Sequence, residues 1–309
     1  MVKLRVLTAV ASLAVVLACG GCGLGPGAPT KGISLTVSSA FGARHISTVS
    51  RSKVPGSETV MRMLERSFKI STRYGGGFVQ SIDGRSGSAN HTDWFYYVNG
   101  VQGSKGAATT AVHAGDHIWW DLHDWSATEN IPAVVGSFPE PFTNGIGGKR
   151  YPVTLECASD VDAACKQVTK AMTAVHVPAS SQLLGTGSGP ATLGIVVGTW
   201  SAIRSEVAAE LVAHGPGASG VYARFAGPEG RALQLLNPSG QVARTLGAGA
   251  GLIAATADSS SVPTWMITGT DPAGVLAAAR ALTPAALHDH FALAVDGSTR
   301  VPVPLPASP

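Results

Sequence analysis

The chain has 309 residues, 45% hydrophobic and 13% charged, and a net charge of +3. Such a composition belongs to a folded chain with a normal core rather than a disordered one. No run of Lys and Arg has the density that grips a phosphate backbone, which argues against nucleic acid as a partner.

Lys3 and Arg5 precede an uncharged apolar run from Val6 to Leu17, the pattern of a secretory signal over residues 1–18. The run is shorter than the roughly 20 apolar residues needed to span a bilayer. It ends in Val16-Leu17-Ala18-Cys19-Gly20, which resembles the lipobox of bacterial lipoproteins, so lipidation is expected on Cys19. Cys22 is the alternative site, and an ordinary cleaved signal is the alternative to lipidation. With the signal go Lys3 and Arg5, which leaves the mature chain at +1. The expected location is extracytoplasmic, with the cell membrane as partner through the lipid. Cys19 and Cys22 also satisfy a C-x-x-C spacing, but they open no thioredoxin-like βαβ unit. Residues 19–31 are rich in Gly and Pro and read as a flexible tether.

Residues 32–125 read as a first domain. Ile33–Ser39 alternates apolar and polar residues as a half-buried strand does. Ser57 is placed to cap a helix whose apolar positions Val60, Met61, Leu64 and Phe68 recur at helical spacing, with Glu58 in its first turn. Further strands are predicted at Phe78–Ile82, 94–98 and 117–122, with a tight turn at Asn99-Gly100. The insert 85–93 reads as a local loop.

Three pieces of this segment occur in a distinctive order: Ile82-Asp83-Gly84, then Trp94-Phe95-Tyr96-Tyr97-Val98-Asn99-Gly100, then Gly115-Asp116. The series resembles the transcobalamin-like C-terminal family, which is similar to the small β-rich domain of transcobalamin and intrinsic factor. The resemblance implies a small mixed sheet packed on one helix, with Asp83, Gly84, Trp94, Tyr96, Asn99, Gly100, Gly115 and Asp116 as its motif residues. Each also has a structural role open to it, in turns that need positive φ or in the core. In the vitamin carriers this domain closes over cobalamin held by a separate helical barrel, and this chain has none. Cobalamin is therefore one candidate ligand among several, and no cofactor is expected.

Aromatic residues crowd into the same segment. If Trp94, Tyr96, Ile118 and Trp120 face the helix, strand alternation turns Phe95, Tyr97 and Trp119 the other way. Those rings, with Trp125, either bind a flat ligand or sugar, seal a contact with the second domain, or stand exposed. His117, Asp121 and His123 share the outward face and are weak candidates for a metal site. Positions two apart on a strand are about 7 Å apart, wide for one tight site, and a solvated polar edge is the alternative.

Residues 126–150 hold many Pro and Gly yet carry apolar patches, which predicts an ordered connector across a domain boundary. From residue 151 to 301 strands and helices alternate: strands at Val153–Cys157, 193–197, 221–225, Ala232–Leu236, 241–246, 252–256, 264–268 and 291–295, and helices at 160–175, 200–214 and 270–282. That alternation predicts a layered α/β domain, giving an α+β chain as a whole. Cys157 and Cys165 are expected to form a disulfide from a strand end to the next helix, two free thiols being the alternative. Residues 302–309 read as a Pro-rich tail.

No G-x-S-x-G, H-E-x-x-H, P-loop or G-x-G-x-x-G is present, and Gly247 to Gly251 leads into a strand rather than a helix. His288-Asp289-His290 reads as a polar turn, with a metal pair as its alternative. The leading expectation is a non-enzymatic, membrane-tethered protein that binds a small molecule or an envelope component, with an importer as a further partner. A structural or protein-interaction lipoprotein with its aromatics buried between domains is the second expectation, and a metal-dependent extracytoplasmic enzyme is the third. Burial of Phe95, Tyr97 and Trp119 separates the first two.

Overall fold

The computed structural model describes residues 32–88, 91–258 and 262–306. The expected signal, the lipidation sites Cys19 and Cys22 and the tether lie outside the described residues. Among the described residues the architecture is mixed, several β-sheets with seven α-helices, as expected of an α+β chain. Among the described residues no helix is long and apolar enough to cross a membrane.

The first unit opens with β1 (Ile33–Ser39) and β2 (Arg44–Arg51), then α1 (Val60–Glu65). A three-stranded antiparallel sheet follows, built from β3 (Ile70–Arg73), β4 (Phe78–Ile82) and β5 (Arg85–Ser86). Then come β6 (Thr92–Val98), β7 (Val101–Gln102) and β8 (His117–Asp124). The main sheet has the order β2-β1-β8-β6-β7, with β1 and β8 parallel. Its inner face supplies Ile33, Leu35, Val37, Trp94, Tyr96, Ile118 and Trp120 to one apolar core with Val60, Met61, Met63 and Leu64 of α1.

Three local expectations differ from what forms here. The helix is capped by Thr59, whose side chain accepts from Arg62 N, rather than by Ser57. Glu58 then lies outside the helix, buried and paired with Arg66 at 3.1 Å. Strands β2 and β3 carry no apolar periodicity, since every residue of both is exposed or half-exposed. Part of the expected loop 85–93 is strand, because Asp83 and Gly84 adopt positive φ (47° and 79°) and turn β4 back into β5.

The second unit contains β9 (Val153–Cys157), α2 (Asp162–Ala174), β10 (Ser180–Leu183), β11 (Leu193–Thr199), α3 (Trp200–Ile203), α4 (Val207–Ala213) and α5 (Pro216–Ser219). After them run β12 (Ala223–Ala226), β13 (Ala232–Leu236), β14 (Val242–Leu246), β15 (Ala250–Thr256), β16 (Thr264–Gly269), α6 (Pro272–Ala281), α7 (Pro284–Leu287), β17 (Ala292–Asp296) and β18 (Thr299–Val303). Seven strands form one sheet in the order β10-β9-β11-β16-β15-β17-β18, parallel through β16 and antiparallel beyond it. Helices α2 and α6 cover one face. The other face meets α3, α4 and the antiparallel sheet β12-β13-β14. Both faces are therefore covered, and every residue of β11 is buried, which is why β11 reads as a continuous apolar run.

Cys157 at the end of β9 and Cys165 in α2 are disulfide-bonded across Cα atoms 6.2 Å apart. The single helix expected over 200–214 is two, because Glu206 is extended (φ −74°, ψ 141°) and restarts the chain as α4. Residues 302–303, expected in a tail, belong to edge strand β18, where Pro302 opposite Leu293 costs no hydrogen bond on the open side. Leu305 N then donates to Leu236 O, fastening the chain end to β13.

Candidate functional site: the seam between the two units

Strand alternation sends Tyr97 and Trp119 to the outer face of the first sheet, and both are fully buried there. They join Phe41, Ile131, Val134, Tyr222, Leu236 and Phe291 in one apolar cluster that draws on both units and the connector. Trp119 meets the ring of Phe291 edge-on at 5.2 Å, and Tyr97 meets the same ring at 5.5 Å. Phe95 is half-buried and stacks on His123 at 4.5 Å. Trp125 is half-buried away from this cluster, with Nε1 donating to Asp93 at 3.0 Å and its ring edge-on to His91. Three of the four expected ligand-face aromatics thus lie in or against the seam, where Tyr97 and Trp119 offer no face to solvent.

The centre of the seam is polar. Asp121, fully buried, accepts from Phe41 N at 2.9 Å, Gly42 N at 2.9 Å and the Ser38 hydroxyl, and it faces His123 Nδ1 at 3.0 Å. Trp119 Nε1 donates to Ser38 Oγ at 2.7 Å. The turn that Asp121 ties down is an unusual one. Ala40 and Phe41 have φ of 57° and 58°, a left-handed conformation that non-glycine residues adopt at a cost. Holding it points the Phe41 ring into the seam, 5.1 Å from Tyr222 and 5.2 Å from Phe291. Gly42 follows where a Cβ would collide with the carbonyl of Asp289.

Ser38, Asp121 and His123 share residue types with a hydrolase triad but not its order. A nucleophile needs the imidazole between hydroxyl and carboxylate to take its proton, whereas here the carboxylate sits between the other two. His123 is enclosed by Phe41, Phe95 and Phe291, and its Nε2 has no protein partner. The arrangement holds a turn and a ring in place.

His117 does not converge with Asp121 and His123. Its Nδ1 lies 3.0 Å from Ser137 Oγ and its Nε2 3.1 Å from Thr36 Oγ1, so it bridges the first sheet to the connector. Among the described residues no three His, Cys, Asp or Glu side chains are grouped to hold a metal ion. Nearby, His45 Nδ1 contacts Asp289 Oδ2 at 3.0 Å across the two units, and His288 contacts the same oxygen at 3.3 Å. Asp289 is thus a buried seam residue, not part of a free polar turn.

Burial lowers the His117 pKa from 6.5 to about 4, partly opposed by the charge of Asp289 and reinforced by His288. Burial also lowers His290. An imidazole that resists protonation in the fold binds fewer protons than the unfolded chain. Its stability contribution is therefore complete above pH 6.5 and is lost as the pH falls toward 4. The loss has an upper bound of about 3 kcal/mol, since the ring keeps partial solvent contact. Chemical denaturation at pH 7 and pH 4.5 should show the wild-type chain losing more stability than His117→Gln over that interval. Equal losses would contradict this.

The motif residues divide between the first unit's own fold and its contact with the connector. Trp94 Nε1 donates to Arg85 O at 3.0 Å, and the Tyr96 hydroxyl bonds Lys105 O and Thr110. Asp83 accepts from Lys69 N at 2.9 Å beside Gly84. Asn99 donates to Asp116 Oδ1 and to Gly145 O, both at 2.8 Å, and accepts from His117 N. Asp116 also accepts from His113 N at 2.6 Å, and burial raises its carboxyl pKa against these bonds. Gly100 and Gly115 lie where a Cβ would strike the connector at Val134 O and Asn144. The Asn99–Asp116 pair therefore latches the connector onto the first unit.

A cleft of about 290 Å³ elsewhere, in the second unit, is lined by Glu156, Glu206, Val196, Leu211 and Thr264. Sequence reasoning missed Ser38, Phe41, His45, Tyr222 and Phe291. Ser38 meets Asp121 through the pairing of β1 with β8, the others become neighbours across the two units, and no local pattern marks them.

No curated protein matches the chain. A solved structure from Ruminococcus gnavus ATCC 29149, provisionally described as a metal-binding protein, is 18% identical with a TM-score of 0.24. The similarity covers 30% of this chain and 97% of that one. At that score it carries no argument about this chain. Residues 57–124, from the approach to α1 to the end of β8, match the family model described as a domain of unknown function, DUF4430.

Proposed function

We propose that the protein is a non-enzymatic, lipid-anchored extracytoplasmic lipoprotein whose two units act as one rigid structural or protein-interaction body. The observation that carries this reading is the closure of the aromatic face: Tyr97 and Trp119 are spent on the seam. Asp121, Asp116 and His117 are engaged in holding turns and the connector, which supports a structural role over acid–base work. The leader sequence ending in Cys19-Gly20 supports lipidation and the extracytoplasmic location. We retain the transcobalamin-like assignment of the first unit as part of the proposal, supported by the order of its Asp83-Gly84, Trp94 to Gly100 and Gly115-Asp116 pieces. Small-molecule capture for an importer, cobalamin included, would need a surface other than the aromatic face.

A ligand of the folded state at 100 times its Kd adds about 2.7 kcal/mol of stability, several degrees in melting temperature for a chain of this size. Thermal melts with cyanocobalamin, haem and soluble glycans are expected to show no shift. A shift with any of them would overturn the structural reading in favour of ligand capture.

A further inference from the structure

We propose that the corner of the first unit formed by α1 and the β3–β4 hairpin docks onto an anionic lipid bilayer, as a second membrane contact beside the anchor. The inference rests on the lipid-anchored part of the proposed function.

Charge is distributed unevenly along the chain. Between Arg51 and Ser86 lie seven Lys and Arg against three Asp and Glu, a net +4 in a chain whose total is +3, so all other residues sum to −1. One of the three carboxylates, Glu58, is buried beneath Arg66, leaving Glu65 and Asp83 as the exposed acids of the segment. All seven cations are exposed, including Arg62 and Arg66 around α1, Lys69 just before β3, and Arg73 and Arg85 on the hairpin sheet. Arg51 at the end of β2 reaches toward Arg66 O at 3.5 Å, which joins the edge of the main sheet to the same corner.

The hairpin tip adds apolar surface where a soluble face has none to spare. Tyr74 is 86% exposed and Phe78 36% exposed, their rings edge-on at 6.4 Å, and Phe78 pairs across the strands with Arg73. Tyr74 takes φ of 53° ahead of Gly75 and Gly76, so the backbone presents the ring outward at a conformational cost. Exposed aromatic rings with Arg73 beside them and further cations on the same segment suit the headgroup boundary of an anionic membrane, where the ring enters the interface and Arg or Lys meets lipid phosphate.

The anchor would hold this corner near its target. Ile33 begins β1 and pairs with Arg51, so the chain enters the fold beside the basic corner. The twelve residues between Cys19 and Gly32 allow a reach of at most about 45 Å. One acyl attachment with a polybasic patch is a recognised two-signal arrangement for stable membrane association.

The test uses the chain from Gly20 to Pro309, which keeps every described residue and lacks the lipid. It should co-sediment with phosphatidylglycerol vesicles and not with phosphatidylcholine vesicles, and salt should weaken the binding. Arg73→Glu should reduce partitioning at least fivefold, since each cation near the surface contributes about that factor. Tyr74→Asn, which tolerates the left-handed backbone, should reduce it as well. Circular dichroism checks that both variants keep their fold. Equal binding to the two vesicle types, indifference to both substitutions, or retention on heparin without vesicle binding would each overturn the proposal. Palmitate labelling of the full-length chain tests the anchor separately. Labelling at Cys19 without vesicle binding sinks the docking corner alone, while vesicle binding without labelling sinks the anchor alone.

Discussion

Trp119→Ala is expected to lower the unfolding free energy by about 3–5 kcal/mol, the cost of emptying a fully buried aromatic site. The ring is 0% exposed and lies against Phe291 from the second unit. A Cβ on Gly136 of the connector would fall 2.7 Å from it, so connector and ring are in close contact. The substitution also leaves Ser38 Oγ without the Trp119 Nε1 donor that approaches at 2.7 Å. Because the cavity opens between two units rather than inside one, the loss should appear in their coupling. A single denaturation transition in the wild-type chain should broaden or split in the variant. Trp125→Ala is the control, because Trp125 is only half-buried and its indole bonds Asp93 within the first unit. A Trp119→Ala variant as stable as wild type would show that the seam does not form in solution and would reopen the aromatic face to ligands.

Asp121→Ala should cost about as much, roughly 3–5 kcal/mol, for a different reason. Truncation removes the acceptor for two backbone N–H groups, Phe41 and Gly42, and the partner of Ser38 and His123, all in a buried setting. Buried donors left unpaired cost more than the bond itself contributed. The left-handed turn at Ala40 and Phe41 would lose the group that fixes it, and relaxation would withdraw the Phe41 ring from Tyr222 and Phe291. Asp121→Asn keeps one acceptor oxygen but turns an amide donor toward a neighbouring donor, so an intermediate loss is expected. Urea denaturation of the three forms provides the measurement. If Asp121→Ala proves near neutral, the carboxylate is not what holds the turn.

Both predictions concern residues that the sequence could place on a face but could not pair. The period-2 pattern of β6 and β8 determined that Trp94, Tyr96, Ile118 and Trp120 share one side and that Tyr97 and Trp119 share the other, because side-chain direction alternates whatever lies beyond the sheet. The strand and helix alternation after residue 151 likewise determined a layered domain, since β11 and β16 must be covered on both faces to hide their apolar runs. Local chemistry also sufficed for the turn at Asn99-Gly100, where both residues take positive φ, and for the Cys157–Cys165 bond, whose partners lie only eight positions apart.

What covers the second face of the first sheet was a different kind of question. Phe291 and Tyr222 come from far along the chain, and nothing in their local sequence marks them as partners of Trp119 and Phe41. Strand β2 was invisible for a related reason: it is an edge strand with both faces largely in solvent, so its pairing with β1 shows in hydrogen bonds rather than in hydropathy. The histidines and acids followed the same rule. Their spacing permitted a metal site or a polar edge, and only the pairing of β1 with β8 placed Asp121 at the strained turn, as only the docking of the connector made His117 a bridge to it. Local periodicity records which way a side chain points, whereas burial of its far end depends on a surface assembled from distant segments.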